Sequence, residues 1–313
     1  MESASQFALE LKNITKSYPG VLALDNINLQ VRRGSVHGFI GPNGAGKSTT
    51  MKIIAGLIPP NSGEVYINGV DALKRKSDAA SSIGILPETP PLYTNMKVRD
   101  YLRFCQDINN QSMPAREEIL DEKIERCGLT SVQNRLIGPL SKGFKQRVAI
   151  AQTLVYGAEI IVLDEPTVGL DPNAIAEMRD LILELKKDHT ILLSTHQLYE
   201  VGRVCDEVTI INNGKILKTG NLTEVQSEFS AYKTFEALVP KVGEALKTNL
   251  LAKEYVQGCD ISERAGEYLI KIRVSGGEDH RSQLTSLIVE HGNLFQFTER
   301  TMELEDIFKE VVR

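Results

Sequence analysis

Nine consecutive residues, Gly41-Pro42-Asn43-Gly44-Ala45-Gly46-Lys47-Ser48-Thr49, fit the pattern G-x-x-x-x-G-K-[ST]. These residue types at this spacing suit the holding of phosphate. Glycines let backbone N–H groups approach phosphate oxygens with no Cβ in the way. A helix beginning inside the motif aims its positive dipole end at the anion. A lysine at position 47 reaches the β- and γ-phosphates, and the Ser48 hydroxyl is a ligand for Mg²⁺. A second group follows an apolar run: Ile160-Ile161-Val162-Leu163 ends in Asp164-Glu165. Adjacent carboxylates at the end of a buried strand are costly unless they bind a metal or do acid–base work. Asp164 suits the Mg²⁺ and Glu165 an attacking water. A third candidate is His196, just past the apolar run Thr190–Ser194. A lone histidine is more often structural, but this one follows a strand end on the same edge as Asp164 and is expected near the γ-phosphate.

The elements that must position these groups read as an α/β core. Ser35–Ile40 is a buried strand into the phosphate loop, and Lys47–Leu57 a helix out of it, with Met51, Ile53, Ile54 and Leu57 available to a core face. Upstream, Leu9, Leu11 and Ile14 mark one strand. Leu24, Ile27, Leu29 and Val31 mark another, the last three in strict alternation. Tyr18 lies between them in Lys16-Ser17-Tyr18-Pro19-Gly20, where an aromatic can stack on a base, although a packing role is the plainer reading. Gly63–Gly69 is a strand with an Asn-Gly turn. Ser82–Glu88 is a strand entering the proline-rich loop Thr89–Tyr93, whose apolar side chains are exposed. From Val98 to Tyr156 the pattern is helical, with Gly128 stopping one helix. Ser141, before Lys142-Gly143-Phe144, reads alone as an N-cap, or as an anion site at a helix N-terminus. Asp171-Pro172 caps another helix. Val208–Ile211, the Asn213-Gly214 turn and Lys215–Leu217 form a closing hairpin.

Composition limits the whole. The chain has 313 residues, enough for two domains, with 42% hydrophobic and 25% charged residues. Its 41 acidic and 36 basic residues give a formal net charge of −5, which argues against a nucleic-acid partner. No apolar run is long enough to span a membrane, and the first residues do not read as a signal peptide. Cys105, Cys127, Cys205 and Cys259 form no paired motif and read as buried reduced thiols.

The order of these pieces (aromatic loop, phosphate loop, helical stretch, Leu140-Ser141-x-Gly143, apolar-Asp164-Glu165, Ser194-Thr195-His196) resembles the ATP-binding subunit of ABC transporters over residues 7 to about 220. The exporter-type subunits of drug, polysaccharide and gliding-motility systems are similar also in a C-terminal Leu304-Glu305-Asp306-Ile307-Phe308 motif. The resemblance implies that Tyr18 stacks on adenine and that Gly41 to Thr49 bind the phosphates of ATP. It implies that Asp164 helps hold Mg²⁺, that Glu165 is the general base and that His196 contacts the γ-phosphate. Asp171 would lie in a loop crossing a dimer interface, where Ser141 and Gly143 bind ATP held by a second ATP-binding subunit, identical or related. A separate integral membrane permease would dock at the Tyr93 loop and helical insertion, placing the chain in the cytoplasm on the inner face of the membrane. Three positions depart from the family pattern. Glu88 stands for a usual Gln and brings a carboxylate that can ligate Mg²⁺. Lys142 stands for a Gly, adding positive charge near the phosphates, and Phe144 stands for a Gln.

The expected fold is thus an α/β P-loop nucleotide-hydrolase core with an antiparallel β subdomain and a helical insertion at about 95–156. Residues 1–220 form an ABC-type ATP-binding domain, and 221–313 a small α+β accessory domain. The latter reads βαββαβ, the ferredoxin-like order, from strands at Thr234–Val239, Lys253–Ile261, Glu267–Val274 and Leu294–Phe297 and helices at Val242–Leu251 and Gln283–His291. His280 and His291 are expected at its surface. The leading function is ATP-driven export through the permease. The rivals are a soluble ABC-type regulatory ATPase and, because of Glu88, a chain that dimerises on ATP but scarcely hydrolyses it.

Overall fold

The computed structural model describes residues 6–108, 116–225, 232–243, 245–264, 266–275, 279–291 and 293–300. The Leu304–Phe308 motif lies outside them. The contacts divide the chain into two units, Met1–Leu222 and Thr223–Arg313.

In the first unit, strand β1 (Phe7–Tyr18) and β2 (Val21–Arg32) form a hairpin turning at Pro19-Gly20. With β4 (Ser62–Ile67) and β5 (Val70–Asp71) they make an antiparallel sheet of order β2-β1-β4-β5. The alternation at Ile27, Leu29 and Val31 turns those side chains inward, and all three are buried. A second sheet combines β3 (Val36–Ile40), β6 (Ile83–Leu86), β7 (Ile160–Asp164), β8 (Thr190–Thr195), β9 (Glu207–Asn212) and β10 (Lys215–Asn221) in the order β10-β9-β3-β8-β7-β6. The pairs β3–β8, β3–β9, β7–β8 and β6–β7 are parallel, and the β9–β10 hairpin is antiparallel. Strands β3 and β8 are buried throughout and β7 in its four apolar residues, as continuous apolar runs covered on both faces require. The carboxyl ends of β3, β7 and β8 therefore lie side by side on one edge.

Helix α1 (Lys47–Ile54) leaves β3 through the phosphate loop, three residues shorter than the apolar pattern predicts because the chain turns at Ala55-Gly56. The short α2 (Lys76–Ala80) was not visible in the sequence pattern. Helices α3 (Val98–Ile108), α4 (Arg116–Arg126) and α5 (Lys142–Val155) make up the helical stretch. Arg99 ties α3 to Glu117 and Asp121 of α4, and Arg103 also reaches Glu117. Helix α5 returns to the sheet where Gly84 of β6 gives it room, since a Cβ there would come within 2.4 Å of Thr153 Cβ. Helix α6 (Pro172–Leu185) follows β7, and α7 (Leu198–Val204) follows β8.

The second unit runs β11 (Tyr232–Val239), α8 (Leu246–Leu251), β12 (Val256–Arg264), β13 (Glu267–Ser275), α9 (Arg281–Glu290), β14 (Gln296–Arg300). Its sheet is antiparallel in the order β12-β13-β11-β14, the ferredoxin-like arrangement. It has its own core, built on Phe235, Ile270, Ile272, Leu284 and Ile288. The expectation of a surface His280 is corrected: it is buried, stacked on Tyr255 with ring centroids 3.9 Å apart, and donates to Gln283 Oε1. His291 is half-buried, accepting from Asn249 Nδ2 and donating to Leu287 O. All four cysteines are free; three are buried and Cys105 is half-buried.

Candidate active site

The phosphate loop bends tightly because its glycines permit it. Gly46 sits at φ 112°, and a Cβ on Gly41 would fall 2.4 Å from Ile211 O. The hairpin turn that Gly41 abuts is in turn fixed to the loop, with Gly214 N donating to Ala45 O. Lys47 is buried; its ammonium donates to Gly41 O at 2.8 Å and Pro42 O at 3.3 Å. Those carbonyls aim Nζ across the mouth of the loop, 3.4 Å from Glu165 Oε1.

Glu165 is the first residue beyond β7 and is 7% exposed. Its backbone takes the left-handed conformation, φ 50°, uncommon outside glycine, and Glu165 N donates to Ser194 O. The turn swings its carboxylate over the strand end. There His196 Nδ1 donates to it, 2.9 and 3.0 Å from its two oxygens. Lys47, Glu165 and His196 thus meet at the ends of β3, β7 and β8.

Asp164, the last residue of β7, lies behind them. Burial pushes its carboxyl above the usual carboxylate range, and the Glu165 charge adds to the shift. Its buried Oδ1 and the Ser194 Oγ have no hydrogen-bond partner among the described residues. A buried carboxylate oxygen left idle beside a serine hydroxyl is a vacant ligand for a hard cation. Glu88, on the loop after β6, supplies a further oxygen donor on the cleft wall. Among the described residues no group of three or more His, Cys, Asp or Glu forms a metal site by itself. A hard cation such as Mg²⁺ takes one or two carboxylates and completes its shell with water and phosphate.

The cleft over these groups has a volume of about 590 Å³. Asn43, Gly44, Gly46, Lys47, Ser48, Thr49, Glu88, Glu165 and His196 all line it. Gly41, Pro42 and Ala45 shape the loop from behind. Tyr18 stands apart: it ends β1, is 43% exposed and does not line the cleft among the described residues; Val21, Leu22 and Ala23, across the hairpin turn, do. Ser141 and Gly143 are also elsewhere, at the start of α5. Ser141 caps that helix, accepting from Phe144 N, and buried Gly143 faces Ala174 of α6. Lys142, one of the three departures from the family pattern, donates from Nζ to Val168 O. Asp171 caps α6 as predicted, accepting from Asn173 N and Ala174 N.

Sequence reasoning missed Gln146. It is fully buried, and its Nε2 donates to Glu88 O, pinning the loop that carries the extra carboxylate. A glutamine in helical register with Gly143, Ala149 and Ile150, on the face turned inward, was the available signal. It also missed Val21–Ala23 and the Asn213-Gly214 turn as cleft walls, because these reach the site through the packing of one sheet on another.

A loop of this geometry, followed by a helix and faced by the Asp164 and Glu165 carboxylates at the end of β7, the next strand but one in the sheet, defines a P-loop nucleoside-triphosphate hydrolase. The ABC transporter family profile matches residues 24–168. The bacitracin transport ATP-binding protein BcrA of Bacillus licheniformis is 33% identical over 307 residues, 97% of each chain. The linearmycin resistance ATP-binding protein LnrL of Bacillus subtilis (strain 168) is 29% identical over 305 residues, 96% of each. A solved ATP-binding cassette, a dimer in a post-hydrolysis state bound to ADP and Pi, matches with a TM-score of 0.62 and 26% identity. It covers 68% of this chain and 98% of its own. The chain belongs to the ABC transporter family and is an ATP-binding motor subunit, an ATPase whose relatives are transporter ATPases. Such cassettes bind adenine nucleotide and dimerise. No helix among the described residues is long and apolar enough to cross a membrane.

Proposed function

We propose that this chain drives export of a drug-like or peptide-antibiotic substrate through a separate membrane permease. Two ATP-binding subunits close on ATP and part after hydrolysis. The substrate class is suggested by the relatives named for bacitracin transport and linearmycin resistance. The chain would sit on the cytoplasmic face of the membrane, with the permease received by the helical insertion, where Tyr93 is exposed against Phe104. The observation that carries the hydrolytic part is Glu165: a buried carboxylate held between Lys47 and His196 at the floor of the cleft.

The backbone N–H groups of Gly44 to Thr49 and the Lys47 ammonium bind the β- and γ-phosphates, and Lys47 exchanges its carbonyl partners for phosphate oxygens. Tyr18 and the Val21–Ala23 strand offer a surface to the adenine. Glu165 takes the proton of the attacking water, and His196 Nδ1–H orients that carboxylate. Ser48, Asp164 and Glu88 would hold Mg²⁺, which when bound neutralises phosphate charge. Ser141 and Gly143 bind the ATP of the partner subunit, which accounts for their distance from their own cleft. Residues 1–220 carry this chemistry and 221–313 serve as an accessory domain.

The test uses a tagged Glu165→Gln chain. It should bind ATP but lose hydrolysis by about 10²–10⁴-fold, as removal of a general base does. Held closed by Mg-ATP in detergent-solubilised membranes, it should co-purify a polytopic membrane protein in near-equal amount, identified by mass spectrometry. Hydrolysis near the parent rate would overturn the role of Glu165. Soluble partners alone would overturn the permease.

A further inference from the structure

The segment from Glu165 to the Asp171 cap has little regular structure of its own, yet it starts with the buried carboxylate. Turns run through it, with Val168 N donating to Glu165 O at 3.3 Å and Leu170 N to Thr167 O at 3.2 Å. Its middle is held from two sides. Thr167 Oγ1 donates to Gln197 Oε1 at 3.2 Å, and Lys142 Nζ donates to Val168 O at 2.5 Å.

The lysine occupies a costly position. It is the first residue of α5, where the helix dipole opposes a positive charge. A carbonyl partner offsets that cost, and Val168 supplies one. The fit is mutual. Gly169, at φ 70°, leaves the space the ammonium uses, because a Cβ there would lie 2.9 Å from Lys142 Nζ. Gly143, next along, packs close to Ala174 beyond the other end of the segment, where its own Cβ would stand 3.2 Å from Ala174 Cβ. The start of α5 therefore grips the segment that follows Glu165.

We propose that Lys142 is a positioning residue for Glu165: its bond to the Val168 carbonyl fixes the 165–170 segment in the turn that presents the carboxylate between Lys47 and His196. The inference rests on the proposed role of Glu165 as base. Lys142 touches none of the three reacting groups; it acts through the backbone three residues away. A loosened turn leaves ATP able to bind, since the phosphate loop is untouched, but places the carboxylate less well in the transition state. The loss belongs in kcat and not in KM.

The experiment is steady-state ATP hydrolysis by the full chain carrying Lys142→Met, which keeps the stem without the charge, and Lys142→Arg, which keeps a donor. Lys142 is exposed, so both should fold, and thermal melting checks it. Lys142→Met should lower kcat about tenfold with KM for ATP within about twofold of the parent, and Lys142→Arg should recover most of the rate. A Lys142→Met rate equal to the parent's at saturating ATP overturns the proposal. So does a raised KM with kcat intact, which would place the ammonium on nucleotide. A loss that tracks a lowered melting temperature and is not recovered by Lys142→Arg overturns it as well. Glu165→Gln in the same assay separates the failures: if it hydrolyses like the parent, the role of Glu165 falls and this inference with it; if only Lys142→Met does, the inference falls alone.

Discussion

At the scale of single residues, the site is defined by groups that lack partners or hold provisional ones. Lys47 rests on two carbonyls of its own loop, and Asp164 keeps a buried oxygen with none. Asp164 gives a prediction in pH. Its folded-state carboxyl titrates above the usual range because of burial, so at intermediate pH the folded chain holds more protons than the unfolded one. Stability then falls as pH rises from the ordinary carboxylate range through the shifted value. Asp164→Asn removes that charge and can donate to the idle Ser194 Oγ. Without nucleotide at neutral pH it should melt about 2–4 °C above the parent, and the gap should close as pH falls below about 4. Mg-ATP should stabilise the parent more than the variant, reversing the order. Calorimetry across pH checks this; a variant less stable than the parent at neutral pH without nucleotide would reject a net burial cost. This part of the site was legible from residue types alone. The phosphate loop and Asp164-Glu165 each match a chemistry at fixed spacing. The left-handed turn at Glu165 was not legible, because a glutamate seldom adopts it and the tertiary bond from Glu165 N to Ser194 O helps to hold it.

At the scale of elements, the apolar patterns that predicted strands were those with one physical reading. Ile160–Leu163 could only be a strand buried on both faces, and Glu267–Val274 alternates without a break. The elements that escaped notice are short. Helix α7 shows its face only through Leu198, Val201 and Val204, too few for a period to stand out. The positions of Ser141, Lys142 and Gly143 illustrate a different limit: a cap can be read locally, but the contacts with Val168 and Ala174 depend on how α5 meets α6. Asp171 makes the same distinction testable. Its side chain closes two N–H groups of α6, so Asp171→Ala should cost about 1 kcal/mol of stability, read by denaturant unfolding. Asp171→Ser, which keeps an acceptor, should recover most of it. If Asp171 also serves a subunit interface, Asp171→Ser should still weaken ATP-driven dimerisation, which sedimentation measures; a serine variant that neither recovers stability nor dimerises would leave the cap without energetic weight.

At the scale of the whole molecule, each unit holds a hydrophobic core of its own. One joins the antiparallel sheet, α1 and the central strands; the other lies between the four-stranded sheet and its two helices in the second unit. The residues placed in the candidate site all fall in the first unit. Ile272 is fully buried at the centre of the second core. Ile272→Ala removes buried methyl groups and leaves a cavity, with an expected cost of about 2–5 kcal/mol. If the cores unfold independently, only the thermal transition of the second unit should fall, while the other transition and the affinity for ATP stay at parent values. A single transition lowered as a whole would show that the two cores share one cooperative unit, and a loss of ATP binding would show that the accessory unit supports the phosphate site directly. The bonds that hold Lys47 and Glu165 among the described residues come from Gly41, Pro42, Ser194 and His196, all of the first unit, and this favours the first outcome.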